Sequence, residues 1–209
     1  MTEILVNVSP REVRAALVEN GVLQEIFLER ANRRGLISNI YKGRVSRVLP
    51  GMQAAFVDIG LERTAFLHAS DIVHPAVGEN GKLDEPVDDA RTADIQALVS
   101  EGGEILVQVL KDPLGTKGAR LTTFITIPSR YLVYMPKGRG VGISARIEDE
   151  AERLRLRDAT TLFLQSDETG GYIVRTAAEG ATPDALRADM MFLQKLWAVL
   201  GEKAATTRL

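Results

Sequence analysis

The sequence predicts an α+β chain of several domains: a three-strand β-meander, a small Greek-key barrel of the OB type, and then a compact α/β unit. Three observations carry that prediction. Residues 3–29 and 39–68 are built of short apolar-rich stretches separated by turn signals, the pattern of antiparallel strands. Two more strand-like stretches, Ile105–Leu110 and Ala119–Thr123, follow an irregular insertion and bring the second group to five strands. After Thr123 the order becomes strand, helix, strand, helix, which implies a separate α/β unit.

The meander consists of Ile4–Val8, Glu12–Glu19 and Val22–Leu28. Asn20-Gly21 joins the last two, because both residues tolerate the positive φ of a tight hairpin turn. A short basic connector, Ala31–Gly35, follows. The run NIYKGRVSRVLPGMQAAFVDIGLERTAFLH, residues 39–68, reads as three strands broken at Pro50-Gly51 and at Gly60. Periodicity is lost over Asp71–Gly81, and Ala93–Val99 suits a short helix. A turn-rich loop, Asp112–Gly118, separates the last two barrel strands. Beyond them Tyr131–Met135 is a strand. Ile147–Leu164 is a charged amphipathic helix with Ala151, Leu154, Ala159 and Leu162 available for burial. Gly170-Gly171 turns the chain into the strand Tyr172–Arg175. Thr182 as N-cap and Pro183 in the first turn open a last helix, with Leu186, Met190, Leu193, Trp197 and Leu200 as its apolar stripe.

A net charge of −2 does not by itself suggest a polyanionic partner. The charge is segregated, however. Residues 30–63 carry seven cations against Asp58 and Glu62, and residues 111–146 carry seven against Asp112 alone. Residues 71–104 are acidic, with Asp84, Glu85, Asp88 and Asp89 clustered. Local patches of this kind steer polyanions more than net charge does. The absence of cysteine excludes disulfides and thiolate zinc sites and fits a cytoplasmic protein. No apolar run is long enough for a membrane helix, and no signal peptide is visible.

The first strand of the 39–68 run carries Lys42, Arg44 and Arg47, and the next two carry Phe56 and Phe66. Cations that follow a phosphate backbone and rings that stack on bases are what a single-strand binder needs, at about 1–3 kcal/mol per stacked base. Spacing alone leaves the alternative open that both rings are barrel core. Lys117 lies in a glycine-flanked loop suited to phosphate contact, and the commoner alternative is a solvated turn lysine. Neither Gly115–Gly118 nor Gly138–Gly142 has the spacing of a nucleotide-binding loop. Arg175-Thr176 ends a strand beside a glycine-containing loop. A guanidinium and a hydroxyl there make a compact phosphate trap, and the commoner alternative is an ion pair with a helix carboxylate. His68 and His74 lack partners for zinc, and no catalytic constellation is evident.

Four blocks, NIYKGRVSRVLPGMQAAFVDIG, AFLHASDI, VLKDPLGTKGARLTTFITIPSRYLV and YIVRTAAEG, resemble the ribonuclease E/G family. The resemblance runs from the N-terminus to about Trp197. It implies bacterial endoribonucleases that cut single-stranded RNA, prefer a 5′-monophosphate, and serve ribosomal RNA processing and messenger RNA decay. It implies that residues 1–36 begin a ribonuclease H-like subdomain, that 37–123 form an S1-type RNA-binding barrel, and that 124–205 form a 5′-sensor. By the same resemblance Phe56 and Phe66 hold RNA, with Lys117, Lys42 and Arg44 guiding it. Arg175 and Thr176 grip the terminal phosphate and Val133 packs on the first base. Ser129 lies where a backbone amide assists, and Arg146 meets a neighbouring phosphate. The family's magnesium-binding aspartates and zinc-binding cysteines are expected beyond residue 209, and a homo-oligomer is expected of the full-length enzyme. Two other classes stay open from the residues themselves: a self-contained metal-dependent endonuclease, and a self-associating structural module built on the meander.

Overall fold

The computed structural model describes residues 1–31, 35–73, 93–164 and 170–208. The acidic 84–89 cluster, His74 and most of the basic connector lie outside them. The chain divides into two compact units, Met1–Ile37 and Ser38–Leu209.

The first unit is an antiparallel sheet of β1 (Thr2–Val8), β2 (Glu12–Glu19) and β3 (Val22–Arg30), in that order. Asn20 and Gly21 take φ of 51° and 77°, the paired positive values of the expected hairpin turn. Neighbouring residues Ile4 and Leu5, which point to opposite faces, are 70% and 57% exposed. Three strands alone give neither face a layer to pack on.

In the second unit, β4 (Ile40–Leu49), β5 (Ala54–Asp58), β6 (Ala65–His68), β7 (Glu104–Lys111) and β8 (Arg120–Thr122) close into a barrel of order β4-β5-β6-β8-β7. Closure removes sheet edges. Val45, Val57, Leu67, Val107, Val109 and Leu121 fill its interior. The expected helix is a single turn, α1 (Ile95–Leu98), whose N-cap Asp94 accepts from the Gln96 amide at 3.1 Å. Gly118 is required where β8 begins, because a Cβ there would stand 2.0 Å from the Thr64 carbonyl oxygen.

A second sheet follows, of β9 (Ile127–Pro128), β10 (Leu132–Met135), β11 (Arg139–Ile143) and β12 (Gly170–Val174), ordered β11-β12-β10-β9. Helices α2 (Glu150–Leu162) and α3 (Pro183–Thr206) complete this part. Leu132, Tyr134, Tyr172 and Val174 form one core with Leu156 of α2 and Leu186, Met190 and Leu193 of α3. The strand β11 was not anticipated. Its pairing with β12 needs a small residue on the partner strand: a Cβ at Gly171 of β12 would meet the Arg139 amide nitrogen at 2.8 Å.

The α2 helix corrects the expected face. Leu154 and Leu162 are 56% and 77% exposed and Ala151 is exposed, whereas Leu156 and Thr160 are buried and Ala159 is half-buried. The helix starts at Glu150, behind an Asp149 cap, rather than at Ile147, which is itself buried in the core. Thr160 enters the core because its hydroxyl donates to the Leu156 carbonyl at 2.7 Å, which satisfies the polar group within the helix. The α3 stripe is as expected: Leu186, Met190 and Leu193 are buried, and Trp197 and Leu200 are half-buried against the same core.

Buried Gln108 of β7 joins barrel and second sheet. Its amide nitrogen donates to the Ser38 and Thr126 carbonyls at 3.0 and 2.9 Å, and its oxygen accepts from the Thr126 amide at 2.9 Å.

Candidate nucleic-acid interface

Phe56 and Phe66 sit directly opposite each other on β5 and β6, with ring centroids 6.2 Å apart at 68°. Both are half-buried on the outer face, while Ala55, Val57, Ala65 and Leu67 beside them are buried. The period of two along each strand therefore gives the small and aliphatic residues to the core and the rings to the surface. The same period brings His68 alongside, its ring 6.4 Å from that of Phe66. The Ser70 amide donates to His68 Nδ1 at 3.2 Å, which leaves Nε2 to carry the proton of the neutral ring. Sequence reasoning considered His68 only as a zinc ligand. Its place two residues after Phe66 was the available signal.

Register continues the row on both sides. Arg47 of β4 faces Phe56, and Arg120 of β8 faces Phe66. Lys42 and Arg44 stand at even spacing and Arg47 does not, so a regular strand would turn Arg47 to the opposite face. A β-bulge between Val45 and Arg47 restores it to the face of Arg44.

These cations are not equivalent. Lys42 Nζ lies 2.8 Å from Glu104 and donates to the Thr207 carbonyl at 2.9 Å, leaving its side chain 18% exposed. Arg44 approaches the same carboxylate at 3.8 Å. The hydrogen bond from Lys42, then its charge, and lastly the charge of Arg44 hold the Glu104 carboxyl below its ordinary range. Arg120 is tied to Asp71 at 2.9 Å. Arg47 has no ion pair among the described residues. Lys117 is exposed at a tight turn in which it and Leu114 exchange backbone hydrogen bonds of 3.0 and 3.1 Å, and Arg63 donates to the Gly115 carbonyl within it. The Asp58 carboxylate, considered for metal chemistry, accepts from the Gly60 amide at 2.9 Å in the β5–β6 turn.

At the second sheet, Arg175 directly follows β12 and is exposed. Its amide donates to the Tyr131 carbonyl at 2.8 Å, and its guanidinium donates to the Ser129 carbonyl rather than to a helix carboxylate. Thr176 opens a one-turn 3-10 helix, and its hydroxyl oxygen lies 3.4 Å from that of Ser144. Ser144 extends β11 by donating its amide to the Val174 carbonyl at 2.9 Å. Arg146 lies two residues further on, exposed and with no ion pair among the described residues. Arg175 and the paired Thr176 and Ser144 hydroxyls thus stand at one end of the sheet, with Arg146 next but one in the chain to Ser144, an arrangement suited to a phosphate. Val133 pairs with Pro128 and Ile173 on the face opposite the helices, half-buried and apolar.

Ser129 departs from its expected role. Its amide donates to the Leu132 carbonyl at 2.8 Å and is not free for a ligand. Its hydroxyl lies 2.5 Å from Asp189 Oδ2, a residue that sequence reasoning passed over. The loop beyond Thr176 is clamped by Glu152, whose Oε1 accepts from the Gly180 amide at 2.8 Å and from Arg155 at 2.7 Å. Arg155 also donates to the Ala181 carbonyl at 3.0 Å. The Arg155 hydrogen bond, with that of the Gly180 amide, lowers the Glu152 pKa to about 2.

Among the described residues no helix is long and apolar enough to cross a membrane, and no three His, Asp or Glu side chains gather to hold a metal.

Known proteins are similar to this chain in sequence. Residues 126–208 match the model of the ribonuclease E/G family. Ribonuclease G of Haemophilus influenzae is 57% identical over 93% of this chain and 39% of its own length. Ribonuclease G of Escherichia coli is 54% identical over 96% of this chain and 40% of its own length. Ribonuclease E of a Nostoc species is 41% identical over 93% of this chain and 26% of its own length. The chain is thus similar to members of the ribonuclease E/G family, and it spans about two-fifths of the length of the ribonuclease G relatives it matches.

Proposed function

We propose that this chain binds single-stranded RNA on its barrel and reads a 5′-monophosphate at the end of its second sheet, as part of a ribonuclease G-like endoribonuclease. The observation that carries the reading is the outward pair Phe56–Phe66, flanked in register by Arg47, in the same compact unit as the Arg175–Thr176–Ser144–Arg146 cluster. A barrel of S1 type holds bases by stacking and phosphates by charge. Each stacked base contributes about 1–3 kcal/mol. Lys117 and the less committed of the β4 cations supply the charge.

A terminal monophosphate carries about 1.5–2 negative charges by analogy with phosphoserine. The Arg175 guanidinium answers that charge with the donors it does not use on Ser129, the Thr176 hydroxyl adds one more, and Arg146 adds a second cation. Val133 and Ile173 offer an apolar step for the first base. A 5′-hydroxyl end has no anion for these groups.

The family's activity, cleavage of single-stranded RNA in ribosomal RNA processing and messenger RNA decay, belongs to this proposal, as do a cytoplasmic setting and a homo-oligomeric enzyme. So does the assignment of residues 1–36 to a ribonuclease H-like subdomain. When bound, magnesium would supply a polarised phosphate and an activated water. The described residues offer it no ligand cluster, so no step of cleavage is assigned to them. Equilibrium binding of matched 5′-phosphorylated and 5′-hydroxyl oligonucleotides tests the reading. Tighter binding of the phosphorylated strand is expected, and equal affinities would defeat the sensor.

A further inference from the structure

Asp189 lies on α3 among residues that anchor the helix: Leu186, Met190 and Leu193 are buried in the core. Its Oδ2 collects three donors from a single turn: the Ser129 hydroxyl at 2.5 Å, the Tyr131 amide at 2.9 Å and the Leu132 amide at 3.1 Å. Backbone donors in a turn need partners, and here one carboxylate oxygen serves two of them together with a side chain. The turn it fixes is the one that holds Arg175. The Tyr131 carbonyl accepts the Arg175 amide at 2.8 Å, and the Ser129 carbonyl accepts its guanidinium.

We infer that Asp189 is the positioning residue of the phosphate site: it locks the Ser129–Leu132 turn, and the turn aims the Arg175 guanidinium. The inference rests on the phosphate-sensing reading above. A carboxylate so near an anion site is otherwise unfavourable, since like charges repel. Its presence is explained by what it orders. An arginine held by one neutral carbonyl keeps its remaining donors for a ligand, and its rotamer is chosen before the ligand arrives. Asp189 touches neither the phosphate nor the RNA in this scheme and acts only through the turn.

Charge and position predict opposite signs, which makes the test decisive. If Asp189 matters only as a negative charge near the site, Asp189→Ala tightens binding of 5′-phosphorylated RNA. If it positions Arg175, Asp189→Ala loosens that binding. The measured quantity is the ratio of affinities for 5′-phosphorylated and 5′-hydroxyl oligonucleotides of one sequence, using the 209-residue chain. Expected is a fall of about tenfold in the ratio, with 5′-hydroxyl binding unchanged because the barrel carries it. Asp189→Asn keeps an accepting carbonyl and retains most of the ratio, which a lost charge alone would not explain. In the Arg175→Ala background, Asp189→Ala produces no further fall, because the two act as one unit.

A wild-type ratio in a folded Asp189→Ala variant, or a raised one, overturns the inference. Should that variant fail to fold, Ser129→Ala removes one of the three bonds to Asp189, together with the 2.9 Å contact of the same hydroxyl with the Leu132 carbonyl. A lowered ratio with unchanged 5′-hydroxyl binding then supports the assignment, and an unchanged ratio overturns it. A ratio of one in the unmodified chain defeats the phosphate reading itself, and this assignment with it.

Discussion

The barrel and the second sheet face the same problem, presenting polar and aromatic groups from a β-scaffold, and solve it differently. In the barrel the groups meet by register: Arg47, Phe56, Phe66 and Arg120 lie side by side on four consecutive strands. No hydrogen bond between their side chains is needed to bring them together. At the second sheet they meet through hydrogen bonds among four separate segments. These are the Ser129–Leu132 turn, the Ser144–Arg146 turn, the Arg175–Thr176 strand end and Asp189 of α3. A register-built surface tolerates loss of one member and keeps the others in place. A network-built pocket loses its geometry when one member goes.

The largest effect is expected where the network meets the ligand. Arg175→Ala removes the principal charged donor and should cost about 1.5–3 kcal/mol of the preference for a 5′-phosphate, leaving 5′-hydroxyl binding as it was. Competition binding with the paired oligonucleotides measures it. An equal loss for both RNAs would mean that Arg175 serves the barrel as well, and the contrast between the sites would collapse.

Phe66→Ala comes next and should weaken both RNAs alike, by about 1–3 kcal/mol. Because the ring is half-buried on the outer face, the melting temperature should move little. A large fall in melting temperature with unchanged binding would return Phe66 to a core role.

A smaller effect sharpens the difference among the barrel cations. Arg47→Gln should lower the slope of log affinity against log salt by about 1, whereas Lys42→Gln should change it less, because Lys42 is held by Glu104 and the Thr207 carbonyl. Reversed slopes would show that the Glu104 pairing opens when RNA binds.

The smallest expected effect is in stability against pH. Glu152 has its folded pKa lowered to about 2, so the stability it contributes is present above the ordinary carboxylate value of 4.5 and lost as pH falls through about 2. Wild type should therefore melt above Glu152→Gln at neutral pH, and the gap should close between pH 4.5 and 2. A gap that is constant over that window would show that the clamp on Gly180 does not depend on the carboxylate charge.

The same contrast explains what the sequence disclosed. The meander turn at Asn20-Gly21, the five barrel strands and the α3 stripe follow from local chemistry and periodicity, and the sequence reading anticipates each. Phe56 and Phe66 were legible as a pair, but their outward orientation was not, because alternation alone does not say which face meets the core. The bulge at Ser46, which sets Arg47 beside them, has no local signature in a run of ordinary strand residues. The strand β11 was hidden by its glycines, and the close approach that pairs it with β12 is made by Gly171 of β12. Thr160 was hidden because its polarity is satisfied by its own helix. Asp189 was invisible for a deeper reason: its three donors lie 57 to 60 residues away in the chain.

The central claim is that the barrel holds RNA whatever its 5′ end, while the second sheet responds to the terminal phosphate alone. The most direct measurement crosses Phe66→Ala and Arg175→Ala, singly and together, against 5′-phosphorylated and 5′-hydroxyl forms of one oligonucleotide. The account predicts that Phe66→Ala lowers both affinities equally, that Arg175→Ala lowers only the phosphorylated one, and that the double variant shows the sum of the two losses. Loss of phosphate preference on removing Phe66 alone, with Arg175 intact, would contradict it.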